Sequence, residues 1–389
     1  MSAEALLQHR ESNGGAPLAF AAKPILVFWE TTRACPLNCI HCRASAISEP
    51  LPGELTTEEG FHLVDEVAAF GRPYPVIVFT GGDPLKRGDL FELLQYANSK
   101  QVRFAISPAV SEYLTTDSIR RIKESGASSI SISLDGAVAD THDSIRRRKG
   151  TYDRTVWAIR EALGQDLEVQ VNTVVMRKNF CELPRIFHLV RDLGVKAWEV
   201  FFLVKVGRGT GVEDLSPEEN EAVCNFLYDA SRYGVTIRTV EGPFIRRVAR
   251  QRAGPAPYPG KDTGYAQMSS EFLALEGEPT GRSTIGHRGT LDGDGIIFVG
   301  YDGTIHPGGL LPVALGNLKK DSLVRVYRED ALLTRIRSRA FHGPCGRCDY
   351  TMACGGSRAR SYARTGDPLG SDPACAFVPL NWSQTMRSM

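Results

Sequence analysis

Three cysteines fall within eight residues of this chain: Cys35, Cys39 and Cys42, spaced Cys-x3-Cys-x2-Cys directly after the apolar run Ile25 to Trp29. Thiolates packed this closely grip one soft metal centre. The odd number matters, because a closed zinc site takes four ligands and an ordinary four-iron cluster takes four cysteines. Three cysteines on a four-iron cube leave one iron without a protein ligand, open to a substrate or cofactor. The competing reading is zinc with His41 as fourth ligand, but His41 lies between two cysteines of one tight loop. A second group stands near the other end: Cys345, Cys348 and Cys354, with Cys375 further on. Four thiolates suffice to ligate a four-iron cluster completely, with a zinc ribbon as the alternative. Cys181 and Cys224 fall in expected helices and read as small packed residues.

Bulk composition narrows the setting of that chemistry. The chain has 389 residues, 42% hydrophobic and 23% charged, with 46 basic against 45 acidic side chains. That balance argues against a partner held by bulk electrostatics, such as nucleic acid or an anionic membrane. Its apolar runs are too short to span a bilayer. Residues 1–23 read as a flexible leader without signal-peptide character and too short for a peptide-binding domain. Clustered cysteines suit a reducing, cytoplasmic compartment and metal ligation rather than disulfides.

The elements that must position the cysteines follow from the hydrophobic pattern. Strands are expected at 25–30, 76–80, 103–107, 129–134, 168–175 and 197–203, each followed by a helix. Capping-box spacing opens two of these helices, at Thr56/Glu59 and at Ser216/Glu219 with Pro217 in the first turn. Regular alternation implies parallel strands and an α/β fold, either an open sheet or a partial (β/α)6 TIM-like barrel. In both, ligands gather at the C-terminal ends of the strands. A further short strand is expected at 235–238, a basic helix at 244–252 that either faces solvent or holds phosphates or carboxylates, and an irregular linker over 253–289 with one short helix near 270–275. Tyr301-Asp302-Gly303 marks a β-hairpin, and a single helix is expected over 323–339. The domain division is thus 1–23 leader, 24–240 partial barrel, 241–290 linker with the basic helix, and 291–389 a C-terminal hairpin-plus-helix iron–sulfur extension.

Several strand ends carry polar groups. Gly81-Gly82-Asp83-Pro84 follows the second strand, where glycines permit close backbone approach and a carboxylate accepts from an ammonium group. Ser131, Ser133 and Asp135 lie on one side of the fourth strand and suit a ribose, or form a polar strand end capped by an Asp-Gly turn. Arg146 to Lys149 is a basic run of the kind that usually faces solvent. Ser107 and Asn172 end the third and fifth strands as further candidate contacts.

Taken together, these motifs resemble the radical S-adenosylmethionine (SAM) superfamily over nearly the whole chain, from Ile25 to Pro379. The resemblance implies that Cys35, Cys39 and Cys42 hold a [4Fe-4S] cluster whose fourth iron SAM chelates, and that one-electron reduction cleaves SAM to a 5′-deoxyadenosyl radical. It places His41 near the adenine, and Gly81, Gly82, Asp83, Ser107, Ser133, Asp135, Arg146 and Asn172 among the SAM contacts. Arg146 pairs with the SAM carboxylate, while Asp83 stands where the family has Glu, one methylene short. No general acid or base is implied. The C-terminal region resembles a SPASM/Twitch extension, with Gly308 and Arg358 where the full domain has further cysteines. This implies two [4Fe-4S] clusters in total, the second on Cys345, Cys348, Cys354 and Cys375. The tail from Cys354 to Pro368 looks most like the haem d1 and alternative haem biosynthesis branch, and like some antibiotic-pathway enzymes.

The expected activity is an oxidoreductase or transferase that takes a hydrogen atom from a small molecule, such as a tetrapyrrole or a natural-product intermediate like a nucleoside. A closed second cluster suits electron transfer, as in oxidative decarboxylation or dehydrogenation, and a labile one suits sulfur donation. The expected electron source is an external reductant, flavodoxin or ferredoxin. The alternatives are maturation of a ribosomally made peptide and a non-enzymatic electron-transfer or redox-sensing protein.

Overall fold

The computed structural model describes residues 20–253, 263–286 and 289–379; most of the leader, part of the linker and the last ten residues lie outside them. Seven parallel strands alternate with helices in the order β1 (Leu26–Glu30), α1 (Thr57–Ala68), β2 (Val76–Thr80), α2 (Leu90–Ser99), β3 (Phe104–Ile106), α3 (Thr116–Glu124), β4 (Ile130–Ser133), α4 (Ala139–Arg146), α5 (Thr151–Gly164), β5 (Val169–Val175), α6 (Leu183–Asp192), β6 (Ala197–Phe202), α7 (Pro217–Ala230) and β7 (Thr236–Val240). Both capping boxes form. Thr56 N–H donates to Glu59 Oε2 at 2.9 Å and Ser216 N–H to Glu219 Oε2 at 2.8 Å, each answered by a return bond to the cap hydroxyl at 3.2 Å. Each pair satisfies two otherwise orphaned donors at a helix start.

Strand alternation sorts side chains between the helical layer and the sheet's inner face. On β5, Val169, Val171, Thr173 and Val175 are buried, while Gln170, Asn172 and Val174 are only half-buried. Trp29, Phe79, Trp198 and Phe187 are fully buried in the core. Beyond β7 come α8 (Ile245–Arg252), α9 (Thr263–Glu276), β8 (Leu291–Asp292), β9 (Gly295–Val299), β10 (Thr304–His306), β11 (Gly316–Asn317), α10 (Leu323–Glu329), α11 (Ala331–Arg337), α12 (Gly343–Gly346) and α13 (Arg358–Thr365). Strand order is β11-β10-β9-β1-β2-β3-β4-β5-β6-β7, with β8 beside β9. The barrel is therefore open. β9 runs parallel to β1, from Leu26↔Ile296 to Trp29↔Val299, so the C-terminal hairpin prolongs the barrel sheet.

Four expectations are corrected. The helix expected over 323–339 is two helices, because Asp330 leaves helical geometry and its Oδ1 accepts from Leu332 N at 2.8 Å and Leu333 N at 3.1 Å. The linker's short helix is the full α9, whose Phe272 packs edge-on against Phe187 and Phe226, each at 5.1 Å. The basic helix is neither a solvated face nor a free anion site, since Arg246 and Arg247 are buried. Arg246 donates to Thr290 O at 2.7 Å and Ala353 O at 3.3 Å, and Arg247 to Glu221 Oε1 at 2.9 Å. Finally, α4 was not anticipated, and it brings Arg146 back over the end of β4.

Candidate active site

The cysteine loop leaves β1 at the C-terminal end of the sheet and is clamped between two glycine turns. After β2, Gly82 N–H donates to Thr32 O and Asp83 N–H to Ala34 O, both at 2.7 Å. A Cβ on Gly81 would lie 2.5 Å from Thr32 O, and one on Gly82 would lie 2.4 Å from Ala34 O. These glycines are thus required for contact with the loop's own backbone. After β6, a Cβ on Gly207 would lie 2.3 Å from Arg43 O. Its neighbour Arg208 donates from its backbone to Cys42 O at 3.0 Å, from Nε to Cys39 O at 2.9 Å and from Nη1 to Ala46 O at 2.8 Å. Arg208 was missed by the sequence reading; an arginine between glycines at a strand's C-terminal end was the available signal. Below the loop, Glu30 is buried and pairs with Arg43 at 3.1 Å and Arg33 at 3.6 Å.

A buried ion cluster presses on the middle cysteine. Asp135 Oδ2 meets Arg146 Nη2 at 2.5 Å and His41 Nε2 at 3.0 Å, while Asp135 Oδ1 accepts from Val174 N at 2.8 Å. Arg146 Nη1 lies 3.6 Å from Cys39 Sγ. Burial opposes the charge on Asp135, but the Arg146 and His41 charges outweigh it and hold the carboxyl far below its usual range. His142, behind this pair, accepts from Asp135 N–H through Nδ1 at 3.1 Å, and burial together with the Arg146 charge lowers its pKa to about 4. His41 is thus engaged by Asp135 through Nε2.

Asp83 is fully buried, and its carboxylate accepts from Ser111 Oγ at 2.7 Å, Leu85 N at 3.2 Å and Ala109 N at 3.3 Å. Burial pushes its pKa up to about 6. Ser133 and Arg146 line one small cleft with Leu37, Ala109 and His142. Ser107 is half-buried at the end of β3. Asn172 is half-buried on β5 opposite Ser133, its Oδ1 accepting from Gln170 Nε2 at 2.8 Å, and Gln170 also donates to Glu199 Oε2 at 2.9 Å. The strand ends therefore gather His41, Asp135 and Arg146, with Ser133 beside Arg146 in the cleft, while Asn172, the register partner of Ser133 on β5, turns to the polar row of Gln170 and Glu199.

The three loop thiols lie within electrostatic reach of one another, and burial pushes the Cys35 thiol up to about 12. The second group gathers likewise. Asp372 N–H donates to Cys345 Sγ and Tyr350 N–H to Cys348 Sγ, each at 3.4 Å. Burial raises Cys354 to about 12 and Cys375 to about 11, and each also feels the Cys345 thiol. Among the described residues, no three His, Cys, Asp or Glu side chains converge closely enough to hold a single metal ion. By donor chemistry, three thiols would fit an iron–sulfur cluster with one position left over, and four thiols would fit one with none.

Above the loop lies a cavity of about 470 Å³ lined by Ile40, Arg147, Arg177, Lys178, Arg208, Gly211, Val212 and Glu213. No helix among the described residues is long and apolar enough to cross a membrane.

An α/β sheet that opens its strand ends onto a three-cysteine loop defines a class, and comparison with known proteins agrees. Residues 29–190 match the family model described as Radical SAM superfamily. The chain belongs to that superfamily, whose members carry a [4Fe-4S] cluster and bind SAM. More particularly, it is 33% identical over 366 residues to the AdoMet-dependent heme synthase of Methanosarcina barkeri, covering 93% of this chain and 99% of that protein. It is 26% identical over 360 residues to the pre-heme d1 synthase of Dinoroseobacter shibae, covering 91% and 86%. Among solved structures, Streptococcus suis SuiB bound to S-adenosylmethionine matches with a TM-score of 0.66 at 14% identity, over 92% of this chain and 78% of that one. At that identity the likeness is one of fold.

Proposed function

We propose that this chain is a SAM-dependent enzyme of haem synthesis that oxidatively modifies a carboxylate-bearing arm of a tetrapyrrole. The observation that carries the reading is the cysteine loop, held on both sides by glycine turns and capped by the Asp135–Arg146–His41 cluster, in a chain similar over nine-tenths of its length to an AdoMet-dependent heme synthase. In this reading Cys35, Cys39 and Cys42 hold the first cluster, and Cys345, Cys348, Cys354 and Cys375 hold a second. When bound, the first cluster and SAM supply a radical able to take a hydrogen atom from an unactivated carbon. The chain's own residues position and exclude water. Arg208 ties down three loop carbonyls, and Arg146 presents a cation beside Cys39, where it meets a ligand carboxylate. Ser133 completes the polar wall, and Asp83, buried behind it, fixes Ala109 and Ser111.

A second cluster with four cysteine ligands has no open iron and suits electron acceptance, which an oxidative loss of hydrogen or carbon dioxide requires. SuiB has been solved with its precursor peptide SuiA, but its likeness to this chain is one of fold. The cationic cavity above the loop favours an anionic small molecule over a peptide. The test is anaerobic reconstitution with iron and sulfide, then SAM, dithionite and iron coproporphyrin III. The expected result is 5′-deoxyadenosine together with a product that has lost carbon dioxide and two hydrogen atoms per modified arm. Formation of 5′-deoxyadenosine with the porphyrin unbound and unchanged would refute the tetrapyrrole reading; no 5′-deoxyadenosine at all would refute the enzyme.

A further inference from the structure

The cavity above the cysteine loop is built from three separate strand-end connections. Arg147 follows α4 in a left-handed conformation, with φ at 53°. Arg177 and Lys178 follow β5, and Arg208 and Glu213 follow β6. Its floor is Ile40, between the second and third loop cysteines, whose N–H is fixed by Ile145 O at 2.9 Å. Four cations thus face one carboxylate across about 470 Å³, a volume typical of small-molecule sites. Their partners differ. Arg177 is held by Glu213 at 3.5 Å and by Glu219. Arg208 is held by the loop carbonyls, with its Nη2 buried and lacking an acceptor. Arg147 and Lys178 are exposed, and neither side chain has an ion pair or hydrogen bond among the described residues.

Like charges gathered around a concavity repel one another, and an anion bound between them removes that repulsion. A flat exposed run would relax by solvation alone, but these cations come from three connections that the sheet forces together. Resting on the tetrapyrrole reading above, we propose that this cavity is the docking site for substrate carboxylate arms, with Arg147, Arg177 and Lys178 as the specificity-determining cations. A tetrapyrrole carries several carboxylates around a rigid ring. Anchoring the arms that are not to react beside Ile40 fixes which remaining arm lies over the cysteine loop. Arg208 is the positioning residue that joins the two: the guanidinium that lines the cavity also holds the carbonyls of Cys39 and Ala46, while its backbone N–H holds that of Cys42.

The test uses reconstituted full-length protein and two probes, iron coproporphyrin III and its tetramethyl ester, with binding followed by porphyrin absorbance at low and high salt. The variants are R177Q, K178Q and the double R147Q/K178Q, with iron content measured to show that the clusters are still held. Each neutralised cation is expected to weaken coproporphyrin binding by about tenfold or more, since a bond to a charged group contributes roughly that much. High salt should weaken wild-type binding of the acid, and the ester should respond to neither salt nor substitution. If wild-type protein binds and converts the porphyrin while the iron-replete variants bind it equally well, the docking site is refuted and the function stands. If the variants instead lose reduction by flavodoxin with porphyrin affinity intact, the basic rim serves an acidic electron carrier and the proposal also fails. If wild-type protein does not bind the porphyrin, both readings fall.

Discussion

Replacing Gly82 by alanine tests whether the Gly-Gly turn exists to hold the cysteine loop. Gly82 has no positive φ, so alanine meets no backbone strain there, and the whole effect is steric. The added Cβ would stand 2.4 Å from Ala34 O, 2.7 Å from Ala34 C and 2.8 Å from Arg33 C. All three are backbone atoms of the loop, so no side chain can swing aside. Restoring ordinary contact moves the turn and loop apart by about 1 Å, which carries the two 2.7 Å bonds from Gly82 and Asp83 past the length of a useful hydrogen bond. Two lost bonds cost about 2 kcal/mol and the overpacking about 1–3 kcal/mol more, so the expected loss is about 3–5 kcal/mol. Gly88 is the control, since its Cβ would meet nothing within 4 Å and its φ is not positive. The assay is urea unfolding of cluster-free protein, followed by iron content after reconstitution. G82A should unfold at clearly lower urea than G88A and retain less iron. A G82A protein within about 0.5 kcal/mol of G88A, with full iron, would refute the clamp.

Further outcomes follow from the buried charges and the two thiol groups. Asp135→Asn leaves the Arg146 guanidinium buried without its counter-charge and should cost about 3–5 kcal/mol by urea unfolding; a loss below 1 kcal/mol would mean the pair contributes little. Burial raises Asp83 to about 6, above its unfolded value of 3.8, so its contribution is fully present below that unfolded value and is lost as pH rises to about 6. Stability of cluster-free wild type should therefore lose about 3 kcal/mol more than that of Asp83→Asn between those pH values, and parallel profiles would contradict the burial argument. Asp135 has the opposite sign, because its pKa is lowered: its contribution is present at neutral pH and is lost as pH falls below its unfolded value. Cys35→Ala and Cys345→Ala should each keep about half of the wild-type iron after reconstitution, whereas loss of all iron from both would rule out two independent clusters.

What the sequence made legible is what local chemistry dictates. The capping boxes, the strand alternation of β5 and the Tyr301-Asp302-Gly303 hairpin depend on a few adjacent residues and form as their spacing requires. The features that were not legible depend on distant partners. α4 is short and polar and begins without a side-chain cap, so nothing local announces it. Yet it is the element that turns Arg146 back onto Asp135. Arg246 and Arg247 looked like solvent-facing charges because an isolated buried guanidinium is costly. Only the fold supplies Thr290 O, Ala353 O and the Glu221 carboxylate that meet them. Likewise the two glycines after β2 were read as room for a ligand, and the structure shows that the Thr32–Ala34 backbone fills that room.

The C-terminal region shows the same division in one place. Gly308 and Arg358 could be seen in the sequence to break a cysteine pattern, but what occupies the vacated positions could not. A Cβ at Gly308 would lie 1.7 Å from Asp292 Oδ1, so no larger side chain fits there without displacing Asp292. Arg358 is buried and donates to Gly370 O at 2.7 Å and Pro368 O at 3.0 Å. Between them, Glu241 adopts a left-handed backbone, with φ at 57°, and accepts from the Ser357 hydroxyl. Burial raises the pKa of both Glu241 and Asp292, and the Glu241 charge adds to the rise at Asp292. Two carboxyl groups and the Arg358 guanidinium are therefore packed together at the positions where the SPASM resemblance implies further cysteines. The departures at 308 and 358 thus fall on one buried polar cluster, in which Asp292 Oδ2 and Arg358 Nη2 find no hydrogen-bond partner among the described residues. On the two-cluster proposal, Cys345, Cys348, Cys354 and Cys375, which share neither position, are the set for one centre.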